Sequence, residues 1–142
     1  MSDKQPRLGV VCLVVINEGD GQLILGRRAR GGNEGKWIIP GGGVELGETW
    51  RAAGEREFAE ETGMRVKIDP DDPPITVMEI IGGDSHRVCL VATARALDPA
   101  SALRPSPELS EVRGFTVAEL PDVDLSPPVR QTLARLGFIP ET

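Results

Sequence analysis

The chain has 142 residues, enough for one domain with a core of its own, and its 39% hydrophobic and 27% charged content excludes a disordered or low-complexity protein. Its 16 basic against 22 acidic residues leave a net charge of −6, which disfavours duplex DNA, RNA or anionic lipid as the main partner. With aromatics at only 4%, an aromatic base-stacking platform has little to build on.

The first residues, MSDKQPRLG, lack the basic-then-apolar form of a signal peptide. Residues 1–7 are expected to be a flexible start to a single domain over 1–142. No apolar run nears the ~20 residues of a membrane span, so a cytoplasmic location and no membrane partner are expected. LGVVCLVVINEGDGQLILGRR predicts a hairpin turning at NEGDG. A short strand follows at Trp37–Ile39, stopped by Pro40 and loosened by Gly41–Gly43. From about Glu48 to Thr62 the apolar period becomes helical, with Trp50, Ala53, Phe58 and also Ala52 suiting one face and Gly63 as the stop.

RVKI reads as a strand, and ITVMEIIGG with HRVCLVATARA as a second hairpin across GGDS. LDPASALRPSPELSE is too broken by proline for a regular element, and a loop of that length is more often functional than idle. VRGFTV predicts a last strand, and SPPVRQTLARLGF a helix with Ser126 as N-cap and Gly137 at its end. Cys12 and Cys89 lie in apolar runs and read as core residues; with His86 the only histidine, no zinc spacing exists. These elements predict an α/β layered domain around a mixed sheet.

The predicted first helix carries the chemistry. Glu57 shares a helical face with Glu60 and Glu61. Two carboxylates roughly 6 Å apart repel by about 3 kcal/mol at an effective dielectric near 20, whereas a surface i,i+4 ion pair returns only about 0.3–0.5 kcal/mol. Arg51 and Arg56 therefore offset the cluster poorly, and a divalent cation offsets it well; oxygen-only ligands suit Mg²⁺ or Mn²⁺. On spacing alone, a solvated acidic face explains the glutamates equally. The preceding glycines favour a ligand, because they let the backbone approach it closely ahead of the unpaired amides at the helix start.

Gly42, five residues, Glu48, seven residues, Arg56-Glu57-Phe58, one residue, Glu60-Glu61, one residue, Gly63-Met64 resembles the Nudix hydrolase signature at every defined position. GKWIIPGGGVELGET, LILGRRA and VRGFTVAELPD are similar to the flanking parts of MutT-like members, so the resemblance runs from about Leu8 to Leu136. It implies a Nudix-type α/β/α sandwich with a mixed β-sheet, one box helix and a C-terminal helix. It also implies water attack on phosphorus in a nucleoside diphosphate linked to a further group, with Mg²⁺ or Mn²⁺ as cofactor and a nucleotide as partner. By the same resemblance Glu57, Glu60, Glu61 and the Gly41 carbonyl ligate metal, Arg56 and Glu48 orient the cluster, and Arg28, Gly41 and Gly42 meet substrate. Glu108 is the preferred general base, with Glu111 as the alternative. Trp37 is expected to pack beneath its loop rather than stack on a base.

Three positions depart from the family pattern: Ile39 for Leu, Gly54 inside the helix, and Ser126 for an Asn that reads purine in members acting on 8-oxo-guanine nucleotides. The last weakens any claim to that substrate. The leading expectation is a nucleoside or deoxynucleoside triphosphate pyrophosphohydrolase. The alternatives are hydrolysis of ADP-ribose, a nucleotide sugar or a dinucleoside polyphosphate, and a catalytically silent ligand-sensing module. Homodimers are frequent among such relatives, and the sequence leaves oligomeric state open.

Overall fold

The computed structural model describes residues 5–16, 21–82 and 84–140. The chain begins with β1 (Arg7–Ile16) and β2 (Gln22–Arg28), paired antiparallel through Val15↔Leu23 and Ile16↔Gln22. The predicted turn joining them lies almost wholly outside the described residues. β1 starts at Arg7, so the last residue of the expected flexible segment belongs to the sheet.

β3 (Trp37–Ile38) pairs with β2 and ends one residue short of the expected Ile39, ahead of Pro40. The glycine run departs from the expectation of a loosened loop. Gly41–Gly43 form β4, antiparallel to β1, with Gly43↔Gly9, Gly42↔Val10 and Gly41↔Val11. Close approach is the reason: a Cβ on Gly41 would strike the Val10 carbonyl, so only a bare backbone can lie this tightly against β1.

The box helix α1 spans Trp50–Thr62. Thr49 caps it by accepting from the Ala52 N–H, and Gly63 ends it in the left-handed conformation at φ 81°. Its inward stripe contains Ala53 and Phe58, both fully buried. Gly54 is where α1 meets the sheet: a Cβ there would sit 3.0–3.2 Å from Ile68, Val10 and Cys12 side chains. The Gly54 departure is thus a close-packing requirement.

β5 (Val66–Lys67) pairs with the far end of β7 (Ser85–Ala96), and β6 (Thr76–Gly82) forms the second hairpin with β7. β7 also runs parallel to β1 from Arg7↔Arg87 to Val14↔Ala94, which makes the sheet mixed. A single 3-10 turn at Ala100–Ala102 interrupts the proline-rich loop. β8 (Leu109–Thr116) starts three residues earlier than the apolar pattern suggested. Leu109 is fully buried against Gly26, and the β2–β8 register shifts between Arg27 and Arg28. This bulge lets the polar stretch SPE end beside β2 instead of extending the strand.

α2 (Pro127–Arg135) follows Ser126, which occupies the N-cap position with extended backbone. Its side chain makes no cap hydrogen bond; its carbonyl accepts from Arg130 N–H and its N–H donates to the Trp37 carbonyl. Trp37 packs edge-on against Phe115 with ring centroids 4.8 Å apart, as a packing role requires.

Side-chain alternation in β1 divides the core. Val10, Cys12 and Val14 face α1 with Phe58, Met64 and Ile68. Val11 and Leu13 face α2 with Phe115, Val129 and Leu133. The result is the expected α/β/α sandwich, with an eight-stranded mixed sheet among the described residues. Burial pushes the Cys12 thiol up to about 12 and Cys89 to about 11, which fits core cysteines. No described helix is long and apolar enough to cross a membrane.

Candidate active site

A cleft of about 1400 Å³ opens where β4, the exposed side of α1, the β6–β7 hairpin and the start of α2 meet. Glu57, Glu60 and Glu61 line it, together with Gly41–Gly43, Arg28 and Glu108. Residues scattered through the sequence therefore share one wall. Glu111 does not line the cleft; it points to Arg27 at 3.0 Å. The β2–β8 bulge separates the two candidate bases, since Ala29 N–H donates to the Glu108 carbonyl while Glu111 stays in strand register with Arg27.

Arg56 organises the cluster. Its Nε donates to Glu48 Oε2 at 2.7 Å and its Nη2 to Glu48 Oε1 at 2.9 Å, a two-pronged pair. Nη1 donates to Glu57 Oε1 at 2.9 Å and makes longer 3.4 Å contacts with Glu60, while Nη2 also reaches the Gly43 carbonyl at 3.2 Å. Arg56 thus ties the helix to the loop before it and to the glycine strand. The guanidinium, helped by the Glu45 backbone N–H, lowers the Glu48 carboxyl to about 2. Glu48 foremost, then Glu57, raises Arg56 above its ordinary value.

Glu61 sits deeper. Its Oε1 accepts from the Gly41 N–H at 2.8 Å. Burial pushes its carboxyl up to about 7; Glu57 and Glu108 add repulsion, while the Gly41 N–H and Arg28 temper it. Glu57 occupies space that only a glycine leaves open, because a Cβ on Gly42 would overlap its carboxylate. Glu108 accepts from Arg30 Nη2 at 2.6 Å, and that bond foremost, then the Arg30 and Arg28 charges, holds it below the usual carboxylate range. Arg28 has a buried Nε with no partner among the described residues.

Among the described residues no three acidic, histidine or thiol side chains already meet around one point as a metal cage. Arg56 and the Gly41 N–H hold the carboxylates instead. The donor chemistry nevertheless fits a hard divalent cation: all the donors are oxygens, and burial first, then repulsion from Glu57, raises the Glu61 carboxyl. His86 and Cys89 also line the cleft, but His86 is bonded to Glu79 and burial raises the Cys89 thiol, so the carboxylates are the donors that suit a hard cation.

Sequence patterns did not point to Arg30 as the partner of Glu108, nor to the opposite wall of Met78, Ile80 and Val129. The alternation in TVMEIIG, which places Met78 and Ile80 on one face of β6, is the signal that could have found those two residues.

Residues 5–136 match the sequence profile of the NUDIX domain. Nucleoside triphosphatase NudI of Enterobacter sp. (strain 638) is 29% identical over 138 residues, covering 92% of this chain and 96% of that protein. An RNA pyrophosphohydrolase of Roseobacter denitrificans is 44% identical over 55 residues, 39% of this chain and 34% of that enzyme. The crystal structure of a MutT NUDIX hydrolase from Burkholderia pseudomallei superposes with a TM-score of 0.73 at 28% identity, covering 93% of this chain and 98% of that one. A box helix set against a glycine strand, in a sandwich matched along nearly its whole length, makes this chain a member of the Nudix family.

Proposed function

We propose that this protein is a divalent-metal-dependent hydrolase that cleaves a nucleoside or deoxynucleoside triphosphate to the monophosphate and pyrophosphate. The observation that carries the proposal is the crowding of Glu57 and Glu61 beside a bare glycine strand, where burial and repulsion raise Glu61 and the cleft opens beyond. Mg²⁺ or Mn²⁺ would be held by the Glu57, Glu60 and Glu61 carboxylates and the Gly41 carbonyl. When bound, the cation supplies positive charge against the phosphoryl oxygens, without which an acidic cleft repels a polyanion.

The chain's own residues do the rest. Arg56, pinned by Glu48 and Gly43, fixes where Glu57 and Glu60 stand. Arg28 lines the cleft near Glu61, where its guanidinium is suited to a phosphate oxygen. Glu108 stays ionised and accepts the proton of the attacking water, whose oxygen bonds to phosphorus as the anhydride P–O bond breaks and pyrophosphate leaves. Met78, Ile80 and Val129 offer an apolar wall to the base.

A second substrate class, a nucleoside diphosphate joined to a sugar or a second nucleoside, is favoured by one observation. A volume of about 1400 Å³ exceeds the ~300–1,000 Å³ of ordinary ligand pockets. Incubation with Mg²⁺ or Mn²⁺ and a panel of triphosphates, ADP-ribose, nucleotide sugars and dinucleoside polyphosphates separates the two. Pyrophosphate plus a monophosphate supports the first; AMP plus ribose 5-phosphate, or a split dinucleotide, supports the second. Absence of turnover across the panel refutes both and leaves a silent ligand-binding module.

A further inference from the structure

Two arginines on the open side of the cleft play no part in the chemistry above. Arg7, at the start of β1, and Arg87, on β7, are Cα partners in the parallel β1–β7 ladder. Neighbouring strands lie about 4.8 Å apart. Alternation puts both on the cleft face of the sheet, two residues from Gly9 and Cys89 respectively, and both line the cleft. Arg7 is exposed at the mouth, and Arg87 is half-buried.

Gly9 makes the arrangement possible. A Cβ there would lie 3.0 Å from Arg87 Cδ, 3.1 Å from Cys89 Sγ and 3.1 Å from the Gly42 carbonyl oxygen. The Arg87 stem is thus laid close to β4, the strand whose other side meets Glu57. Among the described residues neither arginine makes a salt bridge, whereas Arg27, Arg30, Arg56, Arg65 and Arg113 all do. Among the described residues no ion pair neutralises these two cations, although the chain carries a net charge of −6 and Asp84 lines the same cleft.

We propose that Arg7 and Arg87 form a second anion subsite, contiguous with the glutamate wall and independent of metal, that holds the outer phosphates of the substrate. The site rests on the proposed triphosphate hydrolysis for its substrate but not for its charge. A phosphate dianion relieves the repulsion between two guanidiniums and accepts bidentate bonds from both. A neutral keto base edge needs only one guanidinium and leaves the other uncompensated. The arginines would then meet the outer phosphates, while the carboxylate wall would hold the cation that accompanies the inner ones.

The test compares wild type with Arg87→Gln, Arg7→Gln and Arg87→Lys, measuring KM and kcat for a nucleoside triphosphate and the inhibition constant of the corresponding monophosphate. Loss of a charged hydrogen bond to phosphate raises KM by about ten- to a hundredfold. Arg87→Gln is expected to show that rise, Arg7→Gln a smaller one and Arg87→Lys an intermediate one. kcat is expected to stay within a few-fold and monophosphate inhibition to stay unchanged. An unmoved KM, or monophosphate inhibition weakened in parallel, overturns the assignment. Calorimetry with inorganic tripolyphosphate in EDTA tests the subsite separately from turnover. Binding to wild type that is lost in the Arg7→Gln/Arg87→Gln double variant supports it, even if no nucleotide is hydrolysed; no binding to wild type overturns it.

Discussion

Replacing Glu61 by Gln should stabilise the metal-free protein at alkaline pH, although it removes a proposed ligand. The Glu61 carboxyl is raised from 4.5 to about 7, chiefly by burial and then by its carboxylate neighbours. A folded protein that binds this proton more tightly than the unfolded chain is favoured below about pH 4.5, and loses that advantage as pH rises to about 7. At about 1.4 kcal/mol per unit over about 2.5 units, the loss is at most about 3.5 kcal/mol. The substituted amide carries no charge and keeps an oxygen for the Gly41 N–H, but its N–H₂ group needs partners of its own, so a net gain of about 1–3 kcal/mol is expected at pH 8. For a domain of this size that is about 3–10 °C in Tm. Thermal unfolding of EDTA-treated wild type and Glu61→Gln from pH 4 to pH 8 reads it directly. The curves should meet near pH 4 and separate as pH rises, with the variant higher. A gap that is the same at every pH, or a variant less stable at pH 8, refutes the account of a buried, repelled carboxylate.

Glu57→Gln should lower kcat for triphosphate by about a thousandfold while the fold survives, because about 4 kcal/mol of transition-state charge stabilisation is lost; steady-state kinetics with circular dichroism checks both. Gly42→Ala drives a Cβ into the Glu57 carboxylate, so it should cost about 1–3 kcal/mol in urea unfolding and weaken Mn²⁺ binding measured by electron paramagnetic resonance. Glu108→Gln should slow the chemical step about a hundredfold and flatten the acid limb of the pH–rate profile. Glu111→Gln, at a residue hydrogen-bonded to Arg27 outside the cleft, should stay within twofold in the same assay.

The box helix was legible in the sequence because its information is local. Helical spacing puts Glu57 beside Glu60 and Glu61, the Glu48–Arg56 contact spans a single loop, and Gly63 stops the helix where it stands. The two-sided core was likewise encoded in the β1 run, whose consecutive apolar residues serve both layers. What the sequence did not reveal depends on register. Gly41–Gly43 carry no side-chain pattern, so nothing local announced their pairing with β1. The early start of β8 turns on Leu109 filling the space above Gly26, a contact between distant residues. Glu108 and Glu111 look equivalent along the chain, and only the bulge at Arg27/Arg28 sends one to the cleft and leaves the other outside. The Arg7–Arg87 pairing has the same origin, since a parallel ladder between strands so far apart in the chain leaves no spacing to read.

The most direct measurement is calorimetric titration of the protein with Mg²⁺ and Mn²⁺, alone and with a non-hydrolysable nucleoside triphosphate, repeated on Glu57→Gln and Glu61→Gln. Uptake of cation by wild type, strengthened by the nucleotide and lost in both variants, is the predicted result. Nucleotide bound without any cation, or cation bound equally well after both substitutions, would contradict the claim that these carboxylates grip the metal that grips the substrate.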